Sequence, residues 1–373
     1  MNQRFKICFI SRQAYPYLSG KNYNSAGGAE LQDYLMASEF QKRGHKIFFI
    51  VGDYGQNDYE NIKGFNIYKD FSSYGKGFFG KLKGVIEFWK LLSKIDADVY
   101  YRMTPHTILG IVGLFCKLKK KLFIFLSGSD IDFEDRIFKN KNYLFKICYK
   151  YALKNADIVI AQNNYQKAKA FGNFEINPTI IKSIVELPEK TSTKKNTPSV
   201  MLIGSLIEYK QPEIFIELAK KIKEANFYII GPCNNNDYLD KLRSISIGIN
   251  NLKFCGFIQH DEIVKIYAKD IVLVNTSRFE GFPNTFLEAW SYGNPVISLD
   301  VDPDEVICNF RLGFHSKTFD RMVEDLKVLI KDKKLRMELG YNGRKYVEDN
   351  HSIEKIVDEF ENLILDKFSD LKS

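Results

Sequence analysis

Two acids eight positions apart carry the sharpest chemical signal in this chain. Glu280 and Glu288 lie in the segment Arg278–Pro303, RFEGFPNTFLEAWSYGNPVISLDVDP. Its pattern predicts a strand ending near Asn275 and a tight Gly281-Phe282-Pro283 turn. A helix from Asn284 to Tyr292, a stop at Gly293 and a buried strand should follow. A helix that starts beside a glycine turn presents unpaired backbone N–H groups and the positive end of its dipole, which suits a diphosphate. A carboxylate on each side can accept hydrogen bonds from sugar or ribose hydroxyls. The plainer alternative is a surface turn with one capping and one solvent-facing glutamate.

Other groups offer less. Asp130-Ile131-Asp132 spells the DxD that can hold a divalent ion against a nucleotide diphosphate. Three letters are weak evidence, and a structural role is the favoured reading, so no metal is expected. The five histidines are scattered without zinc spacing, and the six cysteines form no CxxC pair, which points to free thiols in a reducing compartment.

The elements that must position these residues alternate from end to end, short β-rich runs with helix-like stretches, as in α/β proteins built on parallel sheets. Strands are expected at Lys6–Ile10, Lys46–Val51, Asp98–Arg102, Leu122–Leu126 and Asp157–Ala161. The pattern starts again at Ser199–Gly204 and continues at Asn226–Gly231, Leu252–Cys255, Asp270–Asn275 and Pro295–Leu299. Gly44 reads as the stop of a helix over Glu30–Arg43, and Pro212 as the first residue of another. Between the halves, Gly172–Pro198 carries three prolines and the polar tract Glu189–Asn196, read as a linker.

With 373 residues, 45% hydrophobic and 27% charged, the chain is long enough for two packed domains, and wholesale disorder is excluded. Its net charge of +8 is too small to imply nucleic-acid binding without a clustered face or a known module. No apolar run approaches a membrane span, and the start shows no secretory leader. The charge is uneven, however. Lys76–Lys154 holds sixteen basic residues against seven acids. Within it, Lys81–Lys94 places Leu82, Val85, Ile86, Trp89 and Leu92 on one helical face. That face either packs into the core, the favoured reading, or lies on an anionic membrane surface.

The EGFPNTFLEAW segment, with the Gly293-x-Pro295 strand that follows, resembles the E-x7-E signature of retaining family-4 (group 1) glycosyltransferases. The resemblance covers most of the chain and is most specific over residues 200–303. It implies a GT-B fold: two facing Rossmann-like domains with a cleft between them and a C-terminal helix crossing back to the first. The expected boundaries are 1–180, 181–350 and 351–373. The apolar positions Ile353, Ile356, Val357, Phe360 and Leu363 would give the C-terminal helix its burial face.

The resemblance further implies a retaining hexosyltransferase that moves sugar from a nucleotide-sugar donor to a glycan or lipid-linked acceptor. Bacterial surface polysaccharide synthesis is the expected setting, in the cytoplasm or peripherally on the inner face of the membrane, without cofactor or metal. Carried over residue by residue, Lys210 and Glu280 would be catalytic. Gly27, Gly28, Ser205, Lys210, Glu280, Gly281, Phe282, Pro283, Asn284, Thr285 and Glu288 would hold the donor. Arg102, His106, Ser129 and Asp130 would face the acceptor. Two departures stand out. Ser205 occupies the place of an expected arginine, for which Arg278 or Arg102 could substitute, and Leu126–Asp130 lacks the histidine many relatives have. They leave open a catalytically weak partner subunit and, less well supported, a nucleotide-sugar epimerase.

Overall fold

A computed structural model describes residues 3–21, 27–70, 77–191 and 197–372. Part of the polar tract Glu189–Asn196 thus lies outside the described residues, as do Lys76 and the Lys81 side chain. The chain divides into two compact units, Met1–Ile184 with Ile353–Ser373, and Val185–Ser352.

The first unit contains β1 (Lys6–Ile10), β2 (Lys46–Val51), β3 (Tyr59–Ile62), β4 (Phe65–Lys69), β5 (Val99–Met103), β6 (Leu122–Leu126), β7 (Ile158–Ala161) and β8 (Thr179–Ile180). They form one sheet in the order β3-β4-β2-β1-β5-β6-β7-β8, parallel except for the β3–β4 hairpin. The period-2 alternation of the strands feeds two cores. Ile7 and Phe9 point into one, Cys8 and Ile10 into the other.

The hairpin was not anticipated from the sequence. Its turn residues, Lys63 (φ 53°) and Gly64 (φ 85°), have the paired positive φ values of a two-residue hairpin turn. The Gly28–Lys42 helix ends as expected, with Arg43 capping and Gly44 left-handed at φ 91°.

The C-terminal helix Ile353–Lys372 belongs to this unit. Ile356, Val357, Phe360 and Ile364 enter the core that contains β1. Its polar side is fixed by Arg43 Nη1, 2.6 Å from both Asp358 and Glu361, and by His45 Nε2, 2.6 Å from Glu361.

The second unit contains β9 (Ser199–Ile203), β10 (Phe227–Ile230), β11 (Leu252–Gly256), β12 (Ile271–Asn275), β13 (Val296–Ser298) and β14 (Gly313–His315). The order β11-β10-β9-β12-β13-β14 is all parallel. This is the doubly wound order, in which the chain reverses direction between β9 and β12. Pro212 opens the Pro212–Lys221 helix as foreseen.

The Asn284–Ser291 helix is backed by the helix Lys333–Asn350. A Cβ on Gly343 would lie 2.6 Å from Trp290 Cδ1, so only glycine lets that indole pack there. The same long helix supplies Arg336, fully buried, which bonds Asp270 at the foot of β12 (3.2 Å) and the carbonyls of Leu329 (2.6 Å) and Ile330 (3.1 Å).

Removing one member of a buried ion pair strands the other charge, at a cost of about 3–5 kcal/mol. Arg336→Met should therefore destabilise the second unit by about that much in urea unfolding. A change indistinguishable from zero would show that the pair does not anchor β12.

Candidate functional site

The carboxyl ends of β9 and β12 meet at the reversal point of the second sheet, where open α/β sheets form their crevices. Gly204 leaves β9 at φ 150°, and a Cβ there would sit 3.3 Å from Lys210 Nζ. Gly231, at φ 148°, passes so close that its Cβ would fall 1.9 Å from the Gly204 carbonyl oxygen. Glycine at both places lets the lysine side chain lie over bare backbone.

The short turn Glu208–Lys210 is tied to the loop after β12. Thr276 Oγ1 donates to the Lys210 carbonyl (2.6 Å), and the Arg278 N–H donates to the Tyr209 carbonyl (2.9 Å). The Tyr209 and Phe279 rings stack with centroids 4.7 Å apart.

These ties bring Lys210 Nζ to 3.1 Å from Glu280 Oε1, which also accepts from Ser277 Oγ at 2.8 Å. The side chains are 24% and 16% exposed, half-buried yet reachable. Burial works against the Lys210 charge, but Glu280 outweighs it and lifts the lysine pKa above its ordinary value. The ammonium is therefore held charged, with N–H donors left for a ligand anion.

Glu288 lies inside the Asn284–Ser291 helix and meets a histidine instead, with Oε1 3.0 Å from His260 Nε2. Burial lowers His260, yet hydrogen bonding to Glu288 and its charge, with Glu186 and Asp261 adding, raise the imidazole pKa overall. Gly281, Phe282 and Pro283 form the buried turn, while Asn284 and Thr285 at the helix start are half-buried.

The first unit has its own reversal point, between β1 and β5. A cavity of about 470 Å³ opens there, lined by Arg12, Glu30, Asp33, Arg102 and His106 among others. Arg102 is buried and donates to the Ile10 carbonyl at 2.7 Å, and burial lowers its pKa to about 10. Burial also carries Asp33 up to about 7 against the pull of Ser11 and Arg102. His106 is driven down to about 4 by burial and by the charges of Arg102, Arg12 and Lys141. Its Nδ1 accepts the Ile108 N–H at 3.2 Å, so the ring is neutral near pH 7. Thr104, a β-branched residue at φ 75°, is a strained backbone position in the cavity wall.

The Glycosyl transferases group 1 model matches residues 183–346, and the Glycosyl transferase 4-like model matches residues 6–163. The chain belongs to the group 1 glycosyltransferases. An uncharacterized glycosyltransferase of Haemophilus influenzae is 24% identical over 92% of this chain and 98% of its own length. The N,N'-diacetylbacillosaminyl-diphospho-undecaprenol alpha-1,3-N-acetylgalactosaminyltransferase of Campylobacter jejuni is 27% identical over 54% of this chain and 57% of its own. Among solved structures, sucrose-phosphate synthase from Thermosynechococcus elongatus superimposes with a TM-score of 0.81 at 16% identity, covering 98% of this chain and 100% of that one. TarM of Staphylococcus aureus, in complex with fondaparinux, alpha-GlcNAc-glycerol and UDP, gives a TM-score of 0.76 at 14% identity over 96% and 99%. These structural likenesses establish the GT-B fold.

In this glycosyltransferase the residues expected from sequence fall into separate groups. Lys210, Glu280, Glu288 and the Gly281–Thr285 turn surround the reversal point of the second sheet. Ser205 is half-buried beside Gly204. Arg278, one of the two arginines considered as substitutes, forms no ion pair with Glu280 among the described residues. Arg278 is exposed, and its Nε lies 3.3 Å from the Gln211 amide, whose nitrogen reaches the Thr276 carbonyl at 3.2 Å. Arg102 belongs to the first unit, where it and His106 line the cavity.

Ser129 and Asp130 do not line that cavity. Ser129 starts a one-turn helix, its N–H donating to Asp132 at 3.1 Å, and Asp130 accepts from Asn163 and Gln166, both at 3.1 Å. Asp132 takes the Gly128 N–H at 2.8 Å, so the two carboxylates of the DxD serve different partners. Gly27 makes room for the Glu30 carboxylate, since a Cβ there would lie 2.2 Å from Glu30 Oε2. Gly28, the first residue of the Gly28–Lys42 helix, is exposed.

Arg12, Asp33 and His260 were not singled out from the sequence. Arg12 lies two residues past the end of β1, the one local hint available, whereas His260 meets Glu288 only through the fold.

The His260–Glu288 pair makes a signed pH prediction. A histidine whose folded pKa is raised contributes stability that is complete below its unfolded pKa of about 6.5 and is lost as pH rises through the folded value. The stability gap between the parent transferase and His260→Gln should be largest in mild acid and shrink as pH rises past the folded titration. A gap that widens with pH would reverse the sign argued here.

Proposed function

We propose that the chain transfers a hexosyl group, with retention of configuration, from a nucleotide-diphosphate-sugar to a glycan or lipid-linked acceptor in the making of bacterial surface polysaccharide. The observation that carries this reading is the Lys210–Glu280 pair at the reversal point of the second sheet. Lys210, with the backbone N–H groups of Gly281–Thr285, takes the diphosphate. Glu280 holds donor-sugar hydroxyls and Glu288 holds the ribose. As the anomeric C–O bond to phosphate breaks, its electrons pass to the phosphate oxygen, whose charge Lys210 stabilises. The acceptor oxygen bonds the same face of that carbon and gives its proton to the departing phosphate, so no protein base is needed. The Campylobacter relative is named for a diphospho-undecaprenol acceptor, which supports a lipid-linked acceptor here. The cavity of the first unit, lined by arginines and carboxylates, suits a polyhydroxylated acceptor.

Contact with an anionic membrane is part of the proposal. The helix Gly77–Ile95 buries Phe88, Leu91, Leu92 and Ile95 but exposes Phe79, Leu82, Val85 and Ile86. Of the face expected from sequence, therefore, only Leu92 is fully buried. Trp89 meets Phe115 edge-on at 5.1 Å, linking this helix to Leu109–Lys119, which exposes Leu114 and Leu118. Apolar side chains among the exposed Lys83, Lys90 and Lys117 suit insertion between anionic headgroups. No helix among the described residues is long and apolar enough to cross a membrane.

Two measurements test the parts separately. A screen of nucleoside diphosphates and their sugars by thermal shift identifies the donor. With that donor, Lys210→Ala should lower kcat by about 10²–10³-fold while the protein stays folded. Turnover near that of the parent would remove Lys210 from the chemistry. On vesicles rich in anionic lipid, a variant carrying Ile86→Glu, Lys83→Gln and Lys90→Gln should partition at least about tenfold less than the parent, at roughly 1 kcal/mol per lysine. Equal partitioning would dismiss the membrane contact.

A further inference from the structure

The chain between β13 and β14 brings three chemically different ligands together. Asp302, Cys308 and His315 each offer one donor atom, and the three atoms lie within 4.8 Å of one another. We propose that these residues bind a divalent transition metal of the zinc type, with water in the fourth position.

The arrangement follows from the local fold. Asp302 is held by backbone donors, with Oδ1 accepting from the Ile307 N–H at 2.8 Å and Oδ2 from the Cys308 N–H at 3.3 Å. Its side chain is 1% exposed. Such outer hydrogen bonds fix the orientation of a ligating carboxylate. Asp304 (φ 51°) and Glu305 (φ 56°) are left-handed in succession, which folds the loop back so that Cys308 returns to Asp302. From the other side, β14 approaches β13 because Gly313 has no Cβ, which would lie 1.8 Å from the Val296 oxygen. That approach carries His315 to the pairing position of Ser298 and puts its Nδ1 3.7 Å from Asp302 Oδ2. Cys308 is exposed, which gives a metal its entry path and leaves room for a bound water.

Chemistry selects the class of ion. Magnesium and calcium take oxygen ligands, whereas a carboxylate, an imidazole and a thiolate together suit zinc or cobalt(II). Bond lengths of about 2.0–2.3 Å in a tetrahedral site ask the three atoms to draw together by roughly 1 Å, within reach of small side-chain rotations. On binding, the sulfur–proton bond breaks, the proton leaves to solvent, and the sulfur electron pair bonds the metal. The site stands apart from the Lys210–Glu280 pair and does not depend on the transfer reading.

Cobalt(II) titration of the full chain is the test. The parent should bind one equivalent and show a thiolate-to-cobalt charge-transfer band with the intense visible bands of a tetrahedral ion. Zinc should displace the cobalt. Affinity should rise about tenfold per pH unit while one thiol proton is released. Cys308→Ser, at an exposed position that leaves the fold intact by circular dichroism, should abolish the charge-transfer band. His315→Gln should weaken binding at least tenfold. In the same way, zinc should raise the Tm of the parent and not of Cys308→Ser. The absence of a charge-transfer band, or one that survives Cys308→Ser because Cys148, Cys233 or Cys255 supplies the sulfur, would overturn the assignment.

Discussion

The contact between Lys210 and Glu280 sets the terms for the rest of the second unit. An ammonium and a carboxylate in a half-buried place lose hydration, and only their mutual attraction and the Ser277 hydroxyl offset that loss. The pair persists because its two loops are fastened together by the Thr276 and Arg278 hydrogen bonds and the Tyr209–Phe279 stack. The glycines that end β9 and β10 clear the space beneath the lysine. Parallel pairing then fixes the rest: β9 and β12 must be neighbours for these loops to meet, and Arg336 holds the start of β12 from below.

The two units obey one topological rule with different chemistry. Each sheet reverses its winding at one point, and each reversal gathers polar side chains onto strand ends that are otherwise buried and apolar. In the second unit the gathering is sparse, with one basic partner for each glutamate. In the first it is dense, with two arginines, three acids and a neutral histidine around a single cavity. Burial shifts Asp33 and His106 in opposite directions, up for the acid and down for the base. Both shifts move the group toward its uncharged form. Arg102 keeps its charge because its intrinsic pKa leaves a wide margin.

What the sequence revealed and what it concealed divide along physical lines. β1, β2 and β6 and the Asn284 helix start match their expected positions, because period and punctuation are local properties that nearby residues determine. The β3–β4 hairpin escaped because β3, the edge strand, buries no residue and carries no apolar alternation to announce it. The Gly77–Ile95 helix is apolar on more than one side, so its pattern alone could not choose the buried face. Phe88, Leu91 and Ile95 won because they meet the core beneath. His260 and the Asp302–Cys308–His315 group depend on loops from different strands converging, and spacing along the chain does not encode that. The two acids of the DxD show the converse. They are close in sequence, yet the short helix turns them toward separate partners.

The charge balance around Glu280 and Glu288 also bears on how the proposed donor site would discriminate. With Glu280 paired to Lys210 and Glu288 hydrogen-bonded to His260, neither acid faces an incoming anion without a basic neighbour. A phosphate group that takes the lysine must compete with Glu280 for it, so a weak or misplaced anion gains little. On the proposed reading, a correctly placed diphosphate would gain the lysine and the helix-start N–H groups together. Glu280, released in part from its partner, then has lone pairs to offer hydroxyl donors on the attached sugar. The ion pair would thereby make recognition of the proposed donor's sugar conditional on recognition of its phosphates. That coupling requires both residues on loops fastened to one another, which is the arrangement the ends of β9 and β12 provide.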